Sequence, residues 1–424
     1  MAKTITGKQV GDSYYQVEHP SGLTVLLYPK EHCSTTYAIF GTRYGSIDNC
    51  FQRSDEAGPE SVPEGIAHYL EHKLFESEEG DAFERFSKTG ASANAFTSFE
   101  STCYLFSTTD QVYQSLEILL DFVQSPHFTE ETVRKEQGII GQEIKMYDDD
   151  PQWRVMFNYL KAMYHSHPIR EDIAGTVESI AKITPELLYR CYNTFYNLGN
   201  MVLAIAGNFQ VDKALAVCDK MLKPAAPVTV KRVFPQEPDT IVQPVVEERL
   251  SVASPLFQFG FKEPGADQPR SEKDVAATEV LLETLASDAS PLFRRLLDQG
   301  LVNESSFSYE YFEGNGYATV MFSGESKDPQ AVAQAILEEV ERFQREGIPA
   351  EAFERSKRAL YGELVAALNS TGSIANGLVN MHLKGRELFT YIDSLASLRL
   401  EDGEERLRKV FQRERSVLSV ILPH

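Results

Sequence analysis

Residues 112–147 read VYQSLEILLDFVQSPHFTEETVRKEQGIIGQEIKMY, and residues 332–367 read VAQAILEEVERFQREGIPAEAFERSKRALYGELVAA. A shift of 220 residues sets one on the other. Leu116, Leu120 and Val123 then fall on Ile336, Val340 and Phe343. Glu131 falls on Glu351, Val133 on Phe353, Lys135 on Arg355 and Glu143 on Glu363. Both stretches carry apolar residues at helical spacing, so each predicts two amphipathic helices. A strand pair, Tyr104-Leu-Phe106 against Val320-Met-Phe322, sits at nearly the same shift. One long repeat of about 200 residues points to duplicated domains rather than a solenoid of short units. Coincidence between amphipathic helices is the plainer alternative. Agreement in order, spacing and residue type favours duplication.

Other elements fit around this repeat. Leu23–Tyr28 and Thr36–Phe40 alternate like strands, with Ser21-Gly22 and Gly45-Ser46 as turn signals. Pro63–Phe75 reads as a helix, because Pro63 suits a first turn where its missing N–H does no harm. Ala95–Thr108 returns to strand character, and Met201–Ala206 is a continuous apolar run consistent with a buried strand. Residues 222–240 hold four prolines, at 224, 227, 235 and 238, with little periodicity. We therefore expect domains at 1–222 and 241–424 joined by a linker at 223–240.

Composition narrows the function. The chain has 424 residues, long enough for about two or three domains. At 42% hydrophobic and 24% charged it is an ordinary globular sequence. Its formal charge of −21 is the wrong sign for a phosphate backbone, so no nucleic-acid partner is expected. Such a surface could attract basic peptides. Five scattered Cys without a C-x-x-C read as reduced thiols in a cytoplasmic protein. Met1–Tyr15 lacks a signal-peptide apolar core, and no window has the roughly 18 apolar residues of a membrane span.

The chemistry concentrates in His68-Tyr-Leu-Glu-His72. On a helix, residues four apart share one face, so His68 and His72 can hold one metal ion. Glu71 lies beside that face as a candidate general base. This is the inverted zinc-peptidase pattern H-x-x-E-H. Zinc takes neutral nitrogen and carboxylate ligands and needs an open fourth position for catalysis. A third ligand must come from elsewhere. Glu136 and Glu143 are seven residues apart and so share a helical face that can offer a carboxylate. The dull alternative is solvent-facing histidines on an acidic helix. Asp148-Asp-Asp150 lacks the spaced oxygens of a calcium loop and reads as a solvated turn before Pro151. His165 and His167 have no carboxylate at metal spacing.

Several motifs together resemble the pitrilysin/insulinase family of zinc metallopeptidases, and in particular its bacterial YmfH-type subfamily. They are Gly65-Ile-Ala-His-Tyr-Leu-Glu-His-Lys-Leu-Phe75, Gly90-Ala-Ser-Ala-Asn-Ala-Phe-Thr97, Glu136-Gln-Gly-Ile-Ile-Gly-Gln-Glu143, and His167-Pro168 followed by Ala174-Gly-Thr176. The resemblance spans nearly the whole chain. It implies an α+β fold: two homologous domains of mixed, mostly antiparallel sheet packed with helices, of the LuxS/MPP-like metallopeptidase type. It implies Zn2+ on His68, His72 and Glu143, Glu71 as base, and Glu136 orienting a histidine ligand. It also makes residues 1–222 the zinc-binding peptidase domain and 241–424 a homologous domain without zinc. Ala93–Thr97 is similar to the family's substrate edge strand, where an extended peptide adds as a further strand. Asn94, Ala95 and Phe96 would be the substrate-binding residues; a plain strand with a turn-favouring Asn is the alternative. His167-Pro168 becomes a structural turn.

The sequence departs from the family at one place. Many active members carry an Arg and, seven residues later, a Tyr in the second half. In Pro291–Asn303, aligning Gly300-Leu301 puts Leu296 and Asn303 at those positions. Arg295 is one residue off, which rotates it by about 100° round a helix. The helix Glu279–Leu285 of the second half also lacks H-x-x-E-H. The resemblance therefore implies a homologous partner subunit that supplies the Arg and Tyr. The leading expectation is a zinc endopeptidase subunit acting on short or unfolded peptides. The alternative is a non-catalytic scaffold or peptide-binding subunit of the same fold.

Overall fold

The computed structural model describes residues 2–78 and 80–424. The apolar runs at the start of the chain form the middle of a sheet. Strands Thr24–Pro29 and Met201–Gly207 pair in parallel, and Met201–Gly207 pairs antiparallel with Thr36–Thr42. Met201–Gly207 is buried along its whole length, as its unbroken apolar sequence requires. Among the described residues the full order is Lys3–Gly7, Asp12–Glu18, Thr24–Pro29, Met201–Gly207, Thr36–Thr42, Thr102–Thr108, Ser92–Thr97, so Ser92–Thr97 is an edge strand.

A second sheet runs Val245–Leu250, Ser416–Pro423, Leu256–Lys262, Tyr317–Glu325, Ser308–Gly314. Its first pair is parallel and the others antiparallel. This repeats the order and strand directions of the last five strands of the first sheet. Strand Thr36–Thr42 and strand Leu256–Lys262 sit at the 220-residue shift read from the sequence, as do helices Pro151–Met163 and Thr371–Leu383. The fold is α+β and internally duplicated.

The compact units do not follow the two halves of the chain. One comprises residues 1–144, 171–233 and 365–389; the other comprises 145–170, 234–364 and 390–424. The equivalent helices have been exchanged. Thr371–Leu383 packs on the first sheet, against Met201–Gly207 and Thr36–Thr42. Pro151–Met163 packs on the second, against Ser416–Pro423 and Leu256–Lys262. A contiguous division at 223–240 misses this, because it assigns a helix by chain position rather than by the sheet face it buries. Matching glycines receive the two helices: Gly41 lies under Val379, and Gly260 under the Tyr159 hydroxyl. Each helix start is capped in the same way. Asp150 accepts from the N–H groups of Gln152 and Trp153, and Ser370 from that of Ser373. Asp150 in the acidic run is thus a helix cap. The proline-rich segment is also tied down: Glu237 accepts from Lys262 Nζ at 2.6 Å and from the backbone N–H groups of His165 and His167.

Candidate metal centre

Helix Ile66–Leu74 presents both histidines. It starts at Gly65, whose φ of +83° suits glycine, and a Cβ there would strike the Ala174 carbonyl. Ser179 Oγ donates to Glu64 O at 2.9 Å, so the Ala174–Thr176 turn abuts the start of this helix. The Tyr69 hydroxyl donates to the carbonyl of Val133, joining the helix to Glu130–Asp148, which carries Glu136 and Glu143. The two motif helices therefore hold each other in register.

His68 Nε2 lies 3.7 Å from Glu143 Oε1, and His72 Nε2 lies 3.4 Å from Glu143 Oε2. Among the described residues, His68, His72 and Glu143 are the one group of three potential ligands whose atoms all lie within 4.8 Å of one another. Ligand atoms about 2.0–2.1 Å from a tetrahedral ion sit roughly 3.3–3.5 Å apart, longer than a hydrogen bond. The two histidine–carboxylate spacings, one to each oxygen of Glu143, lie near that edge length, and the donors fit zinc in kind.

The surroundings suit a cation. His72 Nδ1 is 3.0 Å from Glu136 Oε1, a contact that leaves Nε2 directed at Glu143. Burial opposes the charged form of His72, but hydrogen bonds to Glu136 and Glu143 outweigh it and push its pKa up to about 10. Burial and the neighbouring His72 hold His68 down, to about 4, which keeps it as the neutral imidazole a metal requires. Glu136 and Glu143 thus bring two negative charges against the two imidazoles, which favours a divalent cation between them.

Glu71 sits on the same helix, and burial raises its carboxyl pKa above the usual value. Its Oε2 accepts from Thr97 Oγ1 at 2.6 Å. Thr97 closes the Gly90–Thr97 motif, but a single hydroxyl carries no sequence signal of its partner 26 residues away.

Asn94, Ala95 and Phe96 lie on the edge strand. Ser98 N donates to Ser101 O, so strand alternation turns the backbone groups of residues 93, 95 and 97 away from strand Thr102–Thr108. Of the three expected substrate contacts, only Ala95 faces its N–H to the edge. That N–H is covered by Asn94 Oδ1 at 2.9 Å. Asn94 and Phe96 direct their own backbone groups into the sheet.

In the second half, Leu296 is fully buried. Asn303 Oδ1 caps a turn by accepting from the Ser305 and Ser306 N–H groups. Arg295 donates to Ala335 O at 2.9 Å. His167 is buried, with Nε2 2.9 Å from Asn315 O and Nδ1 accepting from Ile169 N.

The insulinase family profile (peptidase family M16) matches residues 60–177, and the profile described as the M16 inactive domain matches residues 182–360. The chain is 39% identical to the uncharacterized zinc protease YmfH of Bacillus subtilis, over the full length of both. It is 24% identical to a probable mitochondrial-processing peptidase subunit beta of Arabidopsis thaliana, covering 77% of this chain and 63% of that one. The crystal structure of an M16-like peptidase from Alicyclobacillus acidocaldarius superposes with a TM-score of 0.92 at 36% identity, covering 100% of this chain and 98% of that one.

Proposed function

This chain belongs to the insulinase family, peptidase family M16, and from that premise we propose that it is a zinc-dependent endopeptidase subunit hydrolysing peptide bonds in short or unfolded peptides. The observation that carries the reading is the convergence of His68, His72 and Glu143, with Glu71 one residue before a ligand. Zinc bound there would polarise the scissile carbonyl and acidify water. Glu71 takes the proton of the attacking water as its oxygen bonds the carbonyl carbon. It then returns that proton to the amine nitrogen as the C–N bond breaks. The Ala95 backbone faces the sheet edge, where an extended peptide displacing Asn94 Oδ1 from its N–H would add as a strand.

Leu296 and Asn303 stand where the family resemblance places an Arg and a Tyr, so we propose a homologous partner subunit that supplies that pair. The relative named as a subunit is in keeping with pairing. Among the described residues no helix is long and apolar enough to cross a membrane. Five free cysteines suit a reducing compartment, and we assign the protein to the cytoplasm. A non-catalytic peptide-binding or scaffold role is favoured only by the absent Arg and Tyr.

Metal analysis separates the two readings. The enzyme holds about one zinc per chain, and His68→Ala loses it. Glu71→Gln keeps zinc while peptide cleavage falls by about 100-fold or more. A wild-type chain that takes up no zinc returns the protein to the scaffold reading.

A further inference from the structure

Glu71 is held at the end of the edge strand. Its Oε2 accepts from Thr97 Oγ1 at 2.6 Å, so a rigid strand directs one hydroxyl at the carboxylate. Thr97 is paired with Thr102, and their hydroxyls are 3.4 Å apart. Thr102 Oγ1 donates to Tyr44 O at 2.9 Å, so its proton is committed and its lone pairs stay open. A hydroxyl has one proton and two lone pairs. With the Thr102 proton committed to Tyr44 O, the Thr97 proton is directed at the Glu71 carboxylate.

We infer that Thr97 is a positioning residue that aims the Glu71 carboxylate from the edge strand an incoming peptide would join. This rests on the endopeptidase reading above. Thr97 is not one of the three candidate metal ligands. Its loss should misdirect the base and leave binding intact.

The test uses the full chain with whichever partner subunit activates it. Wild type, Thr97→Val, Thr97→Ser and Glu71→Gln are compared for zinc stoichiometry, thermal midpoint, Kd for an uncleaved peptide, kcat and KM. Thr97→Val is expected to keep zinc, thermal midpoint, peptide Kd and KM while kcat falls at least roughly tenfold, since small misplacements of a reacting group cost up to about 100-fold. Thr97→Ser is expected to restore kcat to within about threefold. Thr97→Ala replaces valine if the second methyl disturbs Thr102. The inference is overturned if the hydroxyl-free variant keeps wild-type kcat, if it loses zinc or peptide affinity in step with kcat, or if serine fails to rescue it. If wild type itself binds no zinc or cleaves nothing, the endopeptidase reading falls; if wild type cleaves, Glu71→Gln does not and Thr97→Val does, only the role of Thr97 falls.

Discussion

At the scale of single residues, a metal ligand needs its unused nitrogen occupied. Glu136 contacts His72 Nδ1 at 3.0 Å, which sets the ring's tautomer and its direction. Glu136→Gln should weaken zinc binding by about 10–100-fold in chelator competition, with the metal-free protein unfolding at an unchanged temperature. Unchanged zinc affinity would remove Glu136 from the site. The pairing of Glu136 and Glu143 was legible from their seven-residue spacing, because one helical face implies a shared direction. Which carboxylate faces the ligand atoms and which supports a ring was not legible from spacing. Thr97 was less legible still: its contact depends on how a strand end meets a helix, and no local pattern records that.

At the scale of elements, the edge strand Ser92–Thr97 carries the substrate side of the proposal. Proline is tolerated on an edge strand where the lost N–H faces outward. Ala95 meets that condition, since its N–H is turned from strand Thr102–Thr108 and is met by Asn94 Oδ1. Ala95→Pro should raise KM for peptides by about tenfold with zinc content and folding preserved. An unchanged KM would show that peptides do not add at this edge. The strand itself was readable from Phe96, Phe99, Tyr104 and Phe106. Its open edge and the parity of its N–H groups were not, because they depend on which strand pairs beside it. The exchanged helices teach the same lesson. Pro151 and its capping Asp150 announce a helix start, but they do not say which sheet the helix will cover.

At the scale of the whole molecule, the second half repeats the strand order of the first without its metal chemistry. Leu296 is buried and apolar, and Arg295 beside it donates to Ala335 O. Oxyanion donors are typically worth about 100- to 1000-fold in rate. The purified chain should therefore cleave unstructured peptides slowly. A homologous chain carrying the Arg and Tyr should raise the rate by about 100-fold. Equal rates with and without such a partner, in a peptide-degradation assay at matched zinc, would refute the need for one.

Local chemistry wrote much of this protein plainly. The helical spacing of His68, Glu71 and His72 puts them on neighbouring parts of one turn, whatever the rest of the chain does. A 220-residue shift preserves apolar positions wherever two domains bury equivalent faces. Three features needed the folded chain: the arrival of Glu143 at the two rings, the hold of Thr97 on Glu71, and the exchange of Pro151–Met163 with Thr371–Leu383. Each is a contact between elements distant in sequence. Periodicity says which face of an element is apolar or charged, but the partner of that face is chosen by three-dimensional packing.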